Sequence, residues 1–195
     1  MTDSPDQRRW DERYRDTLVH GEPCRVLEEH AHLLPAQGRA LDLACGTGGN
    51  ALFLAAHGLD TEAWDVSPVA LEKLADFATQ KGLKVHTRAC DLTRETPPEN
   101  SFDVIVVSRY LQRDLCPAIA VALRPRGLLY YQTFVRDKVS DAGPSNPEWR
   151  LAENELLQLF PSLVVRTCRE EGRCGDLSKG FRDEAWLVAQ RPATA

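Results

Sequence analysis

At 195 residues the chain has the length of one domain, long enough to bury roughly 70 % of the surface its unfolded form exposes. Its formal net charge of −5 speaks against tight binding to a nucleic-acid backbone, which needs a basic face. No apolar run approaches the ~20 residues that cross a bilayer, and Met1 to Arg9 lacks the apolar core of a signal peptide. A cytoplasmic protein with no nucleic-acid and no membrane partner is expected. The six cysteines, at 24, 45, 90, 116, 168 and 174, form no Cys-x-x-Cys pair and do not cluster with the five histidines. No metal site is expected, and the thiols read as free in a reducing compartment.

Met1 to Gln7 reads as a loose tail. Trp10-Asp11-Glu12-Arg13-Tyr14 opens a charged helix with its aromatics at i and i+4, on one face. Gly21-Glu22-Pro23 starts a further helix, with Pro23 at its first position, running to Pro35. The first strand then breaks at Leu41-Asp42-Leu43-Ala44-Cys45-Gly46-Thr47-Gly48-Gly49-Asn50 into a glycine turn, and a helix from Ala51 to His57 closes at Gly58. A second strand, Leu59 to Trp64, ends in Asp65. Ser67 caps the next helix with Pro68 in its first position, an apolar stripe follows at helical spacing, and Gly82 ends it. A third strand, Lys84 to Ala89, ends in Cys90-Asp91-Leu92.

Phe102 to Val107 is nearly continuous in β-branched residues, as a strand buried on both faces should be, and leads into Ser108-Arg109-Tyr110. The helix after it stops near Leu123 because Pro125 follows. Gly127 to Phe134 is the fifth strand, Val135 to Pro147 a long loop, and Glu153 to Phe160 a short helix. Leu163 to Thr167 and Asp183 to Gln190 are the last two strands. Strands alternating with helices and ending in two neighbouring strands predict an α/β fold, a parallel sheet finished by an antiparallel hairpin.

The glycine turn is the most informative segment. Glycines there let a bulky ligand approach the backbone. A dinucleotide loop offers its N–H groups to a pyrophosphate. Here Asp42, four residues before the first glycine, repels phosphate and suits a ligand carrying an ammonium and a sulfonium, and Ala51 stands where a third fingerprint glycine would be. Asp65 is placed to accept ribose hydroxyls, and Asp91 to meet an exocyclic adenine amine. Three consecutive strands each deliver a carboxylate to one edge, and S-adenosylmethionine fits that pattern.

These segments resemble the class I S-adenosylmethionine-dependent methyltransferases over almost the whole chain. The carriers are Leu41 to Gly48, Asp65, Asp91-Leu92, and Leu123-Arg124-Pro125-Arg126-Gly127, where Arg126 replaces a usual glycine. Trp10 to Tyr14, Gly21-Glu22-Pro23, Gly46 to Ala55 and Ala63-Trp64-Asp65-Val66-Ser67 resemble the tellurite-resistance methyltransferase-like group more particularly. The resemblance implies a Rossmann-like three-layer sandwich with a seven-stranded, mostly parallel sheet whose last strand is antiparallel. It implies an N-terminal helical lid over 1–35 and a catalytic core over 36–195. Asp42, Gly46 and Gly48 would hold the methionine end, and Asn50 and Ser108 would also bind the cofactor. Asp65 would bind the ribose, Val66 would pack on adenine, and Asp91 with the Leu92 backbone would read its edge. Trp10 and Arg13 would fold over the cofactor.

Methyl transfer from a sulfonium needs alignment above all, worth roughly 7–11 kcal/mol, and a general base only for a protonated, hard nucleophile. No histidine follows the fourth strand. Arg109 is placed to steer an anionic substrate and Tyr110 to line its pocket, or else the pair serves only to cap and pack; Arg113 reads as surface and Tyr131 as core. The expectation is a monomer or weak homodimer that methylates a small molecule, a chalcogen oxyanion, thiol or similar soft anion. An O- or N-methyltransferase using a base from 137–149 and a non-catalytic binding module are the alternatives.

Overall fold

The computed structural model describes residues 4–193. Seven strands form one sheet: β1 (Arg39–Leu43), β2 (Asp60–Asp65), β3 (Val85–Ala89), β4 (Phe102–Ser108), β5 (Leu123–Phe134), β6 (Val164–Arg169) and β7 (Glu184–Gln190). Their order is β3-β2-β1-β4-β5-β7-β6. Pairing is parallel from β3 across to β5, whereas β7 runs antiparallel to both β5 and β6. The last strand thus inserts between its predecessor and β5, and six strands share one direction, as the resemblance implies.

The two faces are covered unequally. On one lie α2 (Arg25–Glu29), α3 (Gly49–Ala56) and α4 (Pro68–Gln80). They bury Val26, Leu27, Leu54 and Leu74 against Ala40, Ala63, Val104 and Val106. On the other, α5 (Cys116–Ala122) and α6 (Glu155–Leu159) seal Leu41, Leu43, Ile105 and Tyr131. No helix links β3 to β4. There Leu92 and Trp64 fill the core, and the Arg88 guanidinium, 4.3 Å from the Trp64 ring, roofs the indole by a cation–π contact. The strict alternation of strand and helix fails at this one crossover. Cation and stem cover apolar surface that a helix otherwise would.

Other boundaries are corrected as well. Of the expected tail Met1–Gln7, the first three residues lie outside the described ones. The rest does not trail: Ser4 accepts the Gln7 N–H at 3.0 Å and caps α1 (Pro5–Arg15). The second helix begins at Arg25 rather than Pro23 and ends at Glu29 rather than Pro35, a 3₁₀ turn taking over at 31–33. The cause is that Gly21 and Cys24 donate their N–H groups to Thr47 Oγ1 (2.9 Å) and Asn50 Oδ1 (2.8 Å). Residues 21–24 are thereby stretched as a strap over the glycine turn. Finally, β5 starts four residues early, at Leu123, which pairs with Phe102 before a bulge shifts the register. Arg126 there adopts φ +67, a conformation that suits the glycine it replaces.

Candidate cofactor and acceptor cleft

The strand order reverses between β1 and β4, and the crevice beyond the carboxyl ends of those strands is where open α/β sheets bind ligands. The glycine turn lies there. Gly46 and Gly48 have φ +52 and +81, and Ala44 is pulled to φ +53 at the end of β1. A Cβ on Gly48 would overlap Leu74, and one on Gly49 would collide with the carbonyls of Gly21 and Glu22. Each glycine therefore has its own reason: Gly48 the helix behind it, Gly49 the strap in front, and Gly46 the open side, where a Cβ would come 2.7 Å from the Tyr14 hydroxyl.

Asp42 is wholly buried and is held from inside the turn. Its carboxylate accepts from Ala51 N–H at 3.1 Å and Asn50 Nδ2 at 3.2 Å. Asn50 Nδ2 also donates to Ser108 Oγ at 3.0 Å. The predicted residues Asp42, Asn50 and Ser108 are thus one hydrogen-bonded group joining β1, α3 and β4. Complete burial pushes the Asp42 carboxyl from 3.8 up to about 7, Asn50 and Ala51 pulling it back and the Asp65 charge adding to the rise. Asp65, buried at the end of β2, accepts from Gly46 N–H (2.8 Å) and Ser67 N–H (2.9 Å), and burial raises it too.

Asp91 points differently. It accepts from Thr93 Oγ1 at 2.6 Å and Thr93 N–H at 3.0 Å, bonds that hold it below the usual carboxylate range. Leu92 is buried in the core and Val66 half-buried. Tyr110, in no helix, has its hydroxyl pushed up to about 12 by burial, with Asp91, Asp6 and Asp65 adding to the rise. That places it between the third strand's end and α1.

The helix α1 lies across these strand ends. Asp11 accepts from Ser67 Oγ at 2.5 Å, and Lys73 of α4 donates to the carbonyls of Arg15 and Thr17. Trp10 stacks on Tyr14 with centroids 5.7 Å apart, and the Arg13 guanidinium sits 5.5 Å from the Trp10 ring. Tyr14, rather than Trp10 or Arg13, reaches the glycine turn. The sequence offered a hint in its i, i+4 spacing from Trp10, but not which of the two rings turns inward.

Just after β4, Arg109 has φ +54 and donates its backbone N–H to the Gln132 carbonyl at 2.8 Å. Its Nε donates to Glu184 Oε1 at 3.0 Å, and Gln132 Nε2 donates to Glu184 Oε2 at 2.5 Å. Gln132 Oε1 in turn accepts from Val26 N–H at 2.9 Å. Glu184 and Gln132 were not singled out in the sequence. A charged residue entering the otherwise apolar run Ala185 to Ala189 was the available signal. Arg113, read as surface, is instead a clamp: it pairs with Glu155 at 2.6 Å and donates to the carbonyls of Glu148 and Arg150. The buried Arg150 donates to the carbonyls of Val135, Pro144 and Ala142. Asp183 accepts from Val139, Ser140 and the Ser140 hydroxyl. The loop after β5 is pinned on both sides. Among the described residues no group of three or more His, Cys, Asp and Glu side chains is disposed to hold a metal, and all six cysteines are free.

The donor set suits S-adenosylmethionine. Two neighbouring carboxylates are buried behind a glycine turn that carries no basic side chain, so a cationic group at the turn's open face would offset their burial. The comparisons agree. Residues 40–127 match the family described as Methyltransferase domain. The "Probable S-adenosyl-L-methionine-dependent methyltransferase TehB" of Haemophilus influenzae is 29% identical over 154 residues, 76% of this chain and 52% of that protein. The chain spans about half the length of the curated relatives it matches. The solved structure of TehB from Haemophilus influenzae superposes with a TM-score of 0.68 at 22% identity, over 95% of this chain and 66% of that one. A structure described under conversion of a disulfide bond into a thioacetal group during echinomycin biosynthesis gives a TM-score of 0.72 at 22% identity, covering 97% and 94%. These last two speak to the fold. Turn, carboxylates, strand order and matched segment together make the chain similar to the class I S-adenosylmethionine-dependent methyltransferases, TehB among them.

Proposed function

We propose that the protein is a methyltransferase that moves the methyl group of S-adenosylmethionine to a small, soft anion. The observation that carries this reading is the glycine turn held between buried Asp42 and Asp65 at the reversal of strand order. Held at the turn by Asp42, Gly46, Gly48 and Asp65, S-adenosylmethionine would supply a methyl on a positively charged sulfur, the C–S electron pair returning to sulfur as the acceptor's lone pair takes the methyl.

The chain's own residues then have to bind, orient and exclude water. Gly46 and Gly48 open the turn, with Asp42 acting from behind through Asn50 and Ser108, while Asp65, Val66, Asp91 and the Leu92 backbone line the nucleoside side. The segment 1–35 serves as lid, Tyr14 with Trp10 and Arg13 lying over 36–195, the catalytic core. Arg109 faces the acceptor, and Tyr110 lines the cleft between them. No histidine stands at the end of β4, which suits a nucleophile that arrives already ionised. The likeness to TehB favours a chalcogen oxyanion or a thiolate among such acceptors, and a small-molecule substrate with a monomer or weak dimer in the cytoplasm completes the proposal.

The test is headspace mass spectrometry of the protein with S-adenosylmethionine, a thiol reductant and selenite or tellurite, alongside calorimetry with S-adenosylmethionine. Methylated volatile selenide or telluride, absent without protein, is expected. Cofactor binding without volatile product would shift the acceptor to an ordinary metabolite, and no cofactor binding would end the proposal.

A further inference from the structure

Glu184 is nine-tenths or more buried at the first position of β7, yet it meets the cleft through Arg109. Both of its oxygens are engaged, one by Arg109 Nε and the other by Gln132 Nε2. Gln132 is itself buried and anchored on the Val26 N–H. The carboxylate is therefore fixed by β5 and α2 before it touches the arginine. Arg109 is fixed from the other side by its backbone bond to Gln132 and its left-handed backbone. What remains is the outer edge of the guanidinium. The side chain is 64% exposed, and neither Nη1 nor Nη2 makes a hydrogen bond to the described residues, so two parallel N–H groups point away from Glu184.

We infer that Glu184 is the specificity-determining partner of Arg109, and that the pair selects a monoanionic oxyanion or carboxylate over a dianion. The inference rests on the methyltransferase reading for its acceptor role. A planar guanidinium held at Nε presents its Nη edge in one orientation, and a carboxylate or hydrogen-oxyanion takes both N–H groups side by side. The first negative charge meets a cation. A second meets a neutralised pair, with a fixed carboxylate on the far side of the same guanidinium. Glu184 is thus a positioning residue that also sets a ceiling on substrate charge. The charged group paired with Arg109 is Glu184, across the guanidinium, and its carboxylate disfavours a dianion.

The experiment is calorimetric titration of the full chain with sodium hydrogenselenite and with sodium sulfate at neutral pH, each with and without S-adenosylhomocysteine. Wild type is expected to bind the selenite monoanion at least tenfold more tightly than sulfate. E184Q should invert or erase that ratio, weakening selenite through lost orientation and strengthening sulfate through lost repulsion, with S-adenosylhomocysteine affinity unchanged within twofold. E184D, which keeps the charge, should keep the preference, and R109Q should lose both anions. Opposite movement of two anions is something a merely structural residue would not produce. Equal loss of both anions and of S-adenosylhomocysteine in E184Q would overturn the inference, as would a wild-type preference for sulfate. Because the anion ratio is read without nucleoside as well, failure of wild type to bind S-adenosylhomocysteine would show separately as failure of the methyltransferase reading.

Discussion

Asp42 shows how much chemistry one buried side chain can carry. Its carboxyl titrates near 7 because burial strips it of water and the Asp65 charge lies close, the bonds from Asn50 and Ala51 recovering part of that loss. A folded-state value above the unfolded one means that protonation favours the fold. The contribution is full below about pH 4 and is lost as pH rises through about 7. Binding of a cation runs the other way, since it needs the ionised form. The affinity for S-adenosylmethionine should therefore rise between pH 5.5 and about 7 and then level off, whereas D42N should bind more weakly with no such slope. Calorimetry across that range checks both. Gln132, Glu184 and Tyr14 make the complementary point. Their partners were illegible at this scale because nothing in a local pattern says which polar side chain a distant strand or helix will meet.

At the level of elements, two segments frame the cleft by different physics. Helix α1 buries no residue completely and is held by Asp11 on Ser67, Lys73 on its last carbonyls and Tyr14 on the turn. Such contacts are few and polar, so deleting residues 1–16 should leave cooperative unfolding intact. Thermal melts followed by circular dichroism should shift by only a few degrees, while S-adenosylmethionine affinity falls about tenfold or more. The loop after β5 behaves oppositely. Val135 to Pro147, with its glycine and prolines, reads in sequence as a long loop. Arg150 threads it by donating to three carbonyls under the Phe134 ring. Hydrogen bonds from a charged donor are each worth roughly 1.5–3 kcal/mol. R150A, which removes three such bonds, should cost about 4 kcal/mol or more in denaturant unfolding and open the 136–147 segment to limited proteolysis. A stable, protease-resistant R150A would show that the loop stands without its clip. The arginine was visible in the sequence, but its target carbonyls follow only from how the loop folds back.

For the molecule as a whole, the sheet divides the thiols into classes. Cys24, Cys90 and Cys116 are buried within the layers, Cys45 sits partly covered in the glycine turn, and Cys168 and Cys174 are exposed toward the outer edge at β6. Burial pushes the Cys24 and Cys116 thiols up to about 12, so they are inert in the fold. A thiol-reactive dye should label Cys168 and Cys174 quickly in the native protein and the three buried cysteines only on unfolding. S-adenosylmethionine should further slow the modification of Cys45. Fast labelling of Cys24 or Cys116 under native conditions would contradict the layer arrangement.

The sequence by itself determined the α/β class, the place of every strand within a few residues, the glycine turn and the carboxylates after β1, β2 and β3. These are local matters: β-branched runs, proline and serine at helix starts, and glycine where the backbone must turn left are all written in neighbouring residues. Even the alternation of strand and helix failed only where Trp64 and Arg88 replaced a helix. Only the tertiary structure decided that residues 21–24 form a strap, that Tyr14 is the ring over Gly46, that Arg113 and Arg150 pin the loop, and that Glu184 holds Arg109. The strap, Tyr14, Arg113 and Glu184 each join residues tens of positions apart, and Arg150 reaches back as far as Val135. The hold of Glu184 on Arg109 depends on β7 inserting beside β5, and the others on contacts whose strength comes from exclusion of water. Neither exists until the chain has closed around them.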